Sequence, residues 1–265
     1  MYIDKETPTP SISIRYINTA DLEGLAELSG LVATGIKAVK DNINKVMDSL
    51  TVKEKTPHGS GFISEMRAKR KDKKFNEYYN VEIGIPIGFT GKVSDAADTI
   101  KTNIKHINLL DTYIDKVTDR LSVLVNTDEK ESFASDKTLL NGITSNNSSL
   151  HKELINFIDV KSRVDVATLG SIFYNNNDID RTLEIMKQVD KEVDYSKLEQ
   201  IKAKLKYIDV LVSAMVSSET KYSKPIIQEL GLTLDGISAY TNGIATLVYL
   251  KVSVNDILDS VNDVL

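Results

Sequence analysis

From Leu22 to Leu50 the chain carries a 3-4-3-4 rhythm that permits very few folds. Leu22, Leu25, Ser29, Val32, Ile36, Val39, Ile43, Val46 and Leu50 follow one another at alternating steps of three and four residues. Only Ser29 is not apolar. A 3.5-residue period lines such side chains along one narrow stripe of a helix, the seam of a coiled coil. With Thr19 as cap, the helix would span about 45 Å at 1.5 Å per residue. Gly24, Gly30 and Gly35 weaken its first half by about 0.5–1 kcal/mol each against alanine, so they mark either close approach of a neighbour or simple tolerance.

Further segments repeat the rhythm. Behind Ser94, which has the chemistry of an N-cap, come Ala97, Ile100, Ile104, Ile107, Leu110, Ile114, Val117, Leu121 and Leu124. This second seam contains one 3+3 step, Ile104–Ile107–Leu110, a stammer that overwinds a coil. A third helix is expected from Ser148 or Ser149 through Leu154, Phe157 and Val164 to about Tyr174, stopped by Asn175-Asn176-Asn177. A shorter one from Asp178 carries Ile179, Leu183, Met186 and Val193. Ser196-Lys197-Leu198-Glu199 reads as a capping box for Leu198, Ile201, Leu205, Ile208, Val212, Met215 and Tyr222. A last helix starts near Ser223, with Pro225 tolerated in its first turn. Its stripe is Leu230, Leu234, Ile237, Ile244, Val254, Ile257, Val261 and Leu265, and Ile244 to Val254 could instead run extended. Thr127 to Ser135 and Ser145-Asn146-Asn147-Ser148-Ser149 read as connections. The expected fold is mainly α: an elongated antiparallel helical bundle with coiled-coil-like heptad seams.

Two stretches keep a different period. In Val81-Glu82-Ile83-Gly84-Ile85-Pro86-Ile87-Gly88-Phe89 every odd position is apolar, which is a strand signal. Ile12, Ile14 and Tyr16 alternate likewise and could pair with it. The chain therefore divides into an extended arm, 1–18, and a bundle, 19–265, interrupted by an insertion over about 51–92. So long an interruption inside a bundle usually has a function. Its alternating strand puts Val81, Ile83, Ile85, Ile87 and Phe89 on one face, and either that face covers an end of the bundle or the strand's open edge receives a partner's strand in an assembly.

The insertion also holds the strongest charge feature. Arg67, Lys69, Arg70, Lys71, Lys73 and Lys74 put six cations into eight residues, with Phe75, Tyr78 and Tyr79 alongside. Such a cluster can be a solvated turn, can dock on an acidic protein, or can grip nucleic-acid phosphates while the rings stack on bases. The net charge of −5 argues against a protein that coats nucleic acid with its whole surface.

Motifs for chemistry are thin. There is no cysteine, and the three histidines, His58, His106 and His151, stand far apart, so neither a thiolate nor a His-Glu-x-x-His metal site is expected. Asn176, Asp178 and Asp180 resemble the start of a calcium loop, but Arg181 and Lys187 occupy positions that need glycine and glutamate. Helix capping by Asp178 is the better reading. Gly59-Ser60-Gly61 lacks the frame of a nucleophile elbow, and no glycine-rich loop ends in Lys-Ser/Thr. No catalytic, cofactor-binding or metal residue is assigned, and the chain is expected not to be an enzyme.

No apolar run reaches about 18 residues, and the N-terminal ten residues carry Asp4, Lys5 and Glu6, so neither a transmembrane helix nor a secretory signal is expected. Heptad helices, an edge strand and a basic clamp point to a structural subunit with protein partners in a homo- or hetero-oligomeric assembly. The bias to lysine, isoleucine and asparagine is that of AT-rich coding, hence a bacteriophage or viral virion component, found in the virion or host cytoplasm. Two other classes stay open: a membrane-active helical pore former using 81–89 as a tongue, although membrane contact is not favoured, and a nucleic-acid-associated coiled-coil protein using 67–74.

Overall fold

A computed structural model describes residues 60–126, 137–159, 161–193, 195–217 and 224–265, with 30, 34, 35, 37–41 and 44. The arm 1–18, most of the first heptad stripe, the Pro57-His58-Gly59 turn and the Thr127–Ser135 connection lie outside the described residues. The described part is mainly helical, with a two-stranded antiparallel sheet.

In chain order the elements are α1 (Ser60–Arg70), α2 (Phe75–Tyr78), β1 (Glu82–Gly84), α3 (Val93–Asn103), α4 (His106–Asn126), α5 (Lys137–Leu154), β2 (Val166–Thr168), α6 (Leu169–Ile172), α7 (Asn176–Glu192), α8 (Tyr195–Ser217) and α9 (Lys224–Val264). The residues described between 30 and 44 are helical as well. Val39 is fully buried there, and Lys40 forms an ion pair with Asp209 of α8. A Cβ on Gly35 would sit 3.1 Å from Leu234 Cβ, whereas one on Gly30 would meet nothing within 4 Å. Close approach accounts for the first glycine and tolerance for the second.

The centre of the bundle is α9, one unbroken helix of 41 residues, about 60 Å long at 1.5 Å per residue. It packs against α3, α4, α5, α7 and β1. Leu230, Leu234, Ile237, Tyr240, Ile244, Leu247, Val248, Leu250, Val254, Ile257, Leu258 and Val261 are all buried, a far wider face than one stripe, as befits a helix with neighbours on several sides. Gly236 and Gly243, seven residues apart, fall on one side of it. A Cβ at the first would meet Ile143 Cγ2 at 3.3 Å, and one at the second Asn147 Oδ1 at 3.1 Å and Leu150 Cδ2 at 3.3 Å. The glycines let α5 approach closely.

Four expectations are corrected. The second seam is two helices, for the chain turns at Ile104 and Lys105, where the 3+3 step falls. Ser94 is no cap: α3 begins at Val93 behind Lys92, and the Ser94 hydroxyl is buried without a hydrogen bond among the described residues. Ser145 to Ser149 is not a connection but the second half of α5, and the chain leaves the helix after Leu154. Past Leu154 the helix expected to reach Tyr174 is instead a loop, β2 and the single turn α6. Asn175 then caps α7, its side chain accepting from the Asp178 amide at 3.0 Å.

Candidate functional site

Four of the six cations are bonded to other parts of the chain, although only Arg70 is buried. Arg70, only 5% exposed, donates to Asp180 at 2.8 Å, to the Asn176 carbonyl at 3.2 Å and to the Met66 carbonyl at 3.1 Å. A buried guanidinium is tolerable only with its donors occupied in this way. Arg67 reaches Asp180 at 3.2 Å and Glu184 at 3.0 Å. Lys69 donates to the Asn262 carbonyl at 2.6 Å and Lys73 to the Leu265 carbonyl at 2.8 Å. Cations at carbonyls near the C-terminal end of α9 complement its dipole. The cluster thus fastens α1 and the turn after it to α7 and α9. Lys71 and Lys74 are exposed and have no ion-pair partner among the described residues.

The alternating stretch forms a shorter strand than nine residues. Only β1 is regular, and it pairs with β2 in the register Glu82↔Thr168, Ile83↔Ala167, Gly84↔Val166. The other alternating stretch, Ile12 to Tyr16, lies outside the described residues. Ile83, Ile85 and Phe89 are buried in the common core, and Val81 packs partly against it. Ile87 is 54% exposed. A turn explains it: the Phe89 amide donates to the Pro86 carbonyl at 3.0 Å, and Gly88 at the third position has φ +89°, as a type II turn requires. The period of two ends at that turn, which sends Ile87 outward and returns Phe89 to the core.

The outer face of the ribbon is formed by Glu82 and Gly84 on β1 and by Val164 and Val166 at β2. Val164 is 56% and Val166 47% exposed. Gly84 opposes Val166 and brings no side chain to cover it. Val164-Asp165-Val166 does alternate in the sequence, but Leu154, Phe157 and Val164 also fit helical spacing, and that fit hid the strand.

A buried polar line runs through the bundle, and no motif announced it. The His106 Nδ1 and the Tyr240 hydroxyl share a hydrogen bond, and both side chains are buried. The Tyr113 ring meets the Tyr240 ring edge-on at 5.8 Å, and Asn146 of α5 donates to the Tyr113 hydroxyl. Nearby, Asn103 donates to Glu153 and to the Thr99 carbonyl. Burial pushes the His106 imidazole below its usual value, helped by Lys105 and opposed by Glu153. Burial also pushes the Tyr240 phenol well up.

Asn176, Asp178 and Asp180 sit in the first turns of α7, where Asp178 accepts from the Tyr174 amide at 3.0 Å and Asp180 holds the two arginines. Among the described residues no group of three or more His, Asp or Glu side chains is placed to hold a metal ion. No helix of the described residues is long and apolar enough to cross a membrane. No family model matches the chain, and neither a curated protein nor a solved structure matches it.

Proposed function

We propose that the chain is a non-enzymatic structural subunit, a helical bundle that joins a larger homo- or hetero-oligomeric assembly through its β-ribbon, with a bacteriophage or viral virion as its setting. The observation that carries this reading is the outer face of the ribbon. Val164 and Val166 stand exposed on a strand edge while their neighbours Ile83, Ile85 and Phe89 are buried. Exposed apolar side chains beside an unpaired strand edge are the features that take a partner's strand. The lysine, isoleucine and asparagine bias supports the viral setting. Nucleic-acid binding through 67–74 is less well supported, since Arg67, Lys69, Arg70 and Lys73 are spent inside the chain. A membrane tongue at 81–89 would have to pull Ile83, Ile85 and Phe89 out of the core.

The test is the native mass of the complex isolated under non-denaturing conditions from cells that make the protein. Several chains with protein partners are expected, and Val164→Glu/Val166→Glu should keep the helical spectrum and melting temperature yet be excluded from the complex. A native mass equal to one chain overturns the reading.

A further inference from the structure

The edge of the ribbon carries a finer pattern than its apolar face. In the β1–β2 ladder the bonded pairs are odd-numbered: the Leu169 amide donates to the Val81 carbonyl at 3.0 Å, and the Ile85 amide to the Asp165 carbonyl at 2.8 Å. Bonded and non-bonded pairs alternate in antiparallel ladders, so the amides and carbonyls of Val164, Val166 and Thr168 point away from β1. Those of Val166 have no hydrogen bond among the described residues. The Thr168 carbonyl is taken by the Ser171 hydroxyl at 2.6 Å, and the Val164 amide has only the Ser162 hydroxyl at 3.4 Å. The Ser162 amide donates to the Asp159 carbonyl at 2.9 Å, so the usable edge is the Ser162 carbonyl with the amides and carbonyls of Val164 and Val166. Within it Arg163 and Asp165, both exposed, flank Val164, and neither forms an ion pair among the described residues.

We propose that this edge pairs with the same edge of a second copy of the chain, antiparallel about a two-fold axis through Val164. The inference rests on the assembly reading and names the partner. Outward groups must face outward groups, so each admissible axis passes through one residue of the edge. An axis at Arg163 or Asp165 opposes that charge to itself. One at Val166 opposes Asp165 to Ala167 and leaves Arg163 unmatched. At Val164, Arg163 of each copy faces Asp165 of the other, the two Val164 side chains meet, and Val166 faces Ser162. Opposite charges directly across strands stabilise a pair and like charges destabilise it. The contact is isologous, so this pairing closes at two copies.

The test is sedimentation equilibrium of the full chain at low and raised salt. A dimer that weakens with salt is expected. Arg163→Asp alone and Asp165→Arg alone each set like charges across the axis and should weaken the dimer at least about tenfold, with unchanged far-UV spectra. Mixing those two variants should restore a dimer, as should Arg163→Asp/Asp165→Arg in one chain. A parent chain that stays monomeric, single variants that pair like the parent, or a mixture that does not recover each overturn the proposal. If the parent is monomeric while its native complex still exceeds one chain, only this pairing falls. If the native mass is also that of one chain, the assembly reading falls with it.

Discussion

His106 is held in its neutral form by what surrounds it. The Tyr240 hydroxyl occupies Nδ1, and the two aromatic rings meet edge-on at 5.6 Å. Lys105 beside it disfavours a second positive charge, and Glu153 on α5 compensates only in part. The sign of the consequence follows from linkage. In the unfolded chain the imidazole titrates near 6.5, and in the fold it titrates lower. Below 6.5 the unfolded state therefore binds the extra proton, and stability falls as pH falls toward the folded value. Thermal melts should show a decline between pH 6.5 and the onset of carboxylate titration, and His106→Gln should flatten it. A decline of equal size in that variant would assign the proton elsewhere.

Among the elements, the contact of α5 with α9 depends on the absence of side chains. Gly243→Ala should be nearly neutral, because the gain in helix propensity, up to about 1 kcal/mol, offsets a squeeze of a few tenths of an ångström against Asn147 and Leu150. Gly243→Leu should cost about 1–3 kcal/mol by overpacking, read from denaturant midpoints. Helices whose seams lie in the core could be read from the chain directly: Leu110, Ile114, Val117, Leu121 and Leu124 on α4, and Leu198, Ile201, Leu205 and Ile208 on α8, are all buried. The break before α4 was also written there, as a missed step in the rhythm. The polar half of α5 was not, because Ser145 to Ser149 have loop composition and become helical through tertiary contacts such as Asn146 with Tyr113 and Asn147 with Gly243. At the candidate site, alternation disclosed the buried side of β1. It could not disclose β2, three residues that draw their regularity from a partner more than 80 positions earlier in the chain. The inward aim of Arg70 was equally hidden, since a run of cations looks the same whether it meets water or Asp180.

For the molecule as a whole, the segment from α1 to β1 is part of the core and not an appendage. Ile63, Met66, Tyr78, Ile83, Ile85 and Phe89 belong to the same buried cluster as α9. Replacing 60–91 by a short Gly/Ser linker should therefore abolish cooperative melting, as followed by circular dichroism. Retention of a sharp transition near the parent temperature would show that the bundle closes without that segment. The position of α9 in the chain adds a consequence of another kind. The helix on which α3, α4, α5, α7 and β1 all rest is the last of the described elements to leave the ribosome. Until it emerges, the inner surfaces of those earlier elements face one another across a missing axle. Their contacts with it span long stretches of chain, which slows folding and leaves apolar surface exposed in the interval. The earlier elements therefore cannot bury those surfaces until α9 has been made, and each nascent chain passes through a sticky interval that ends when this helix docks.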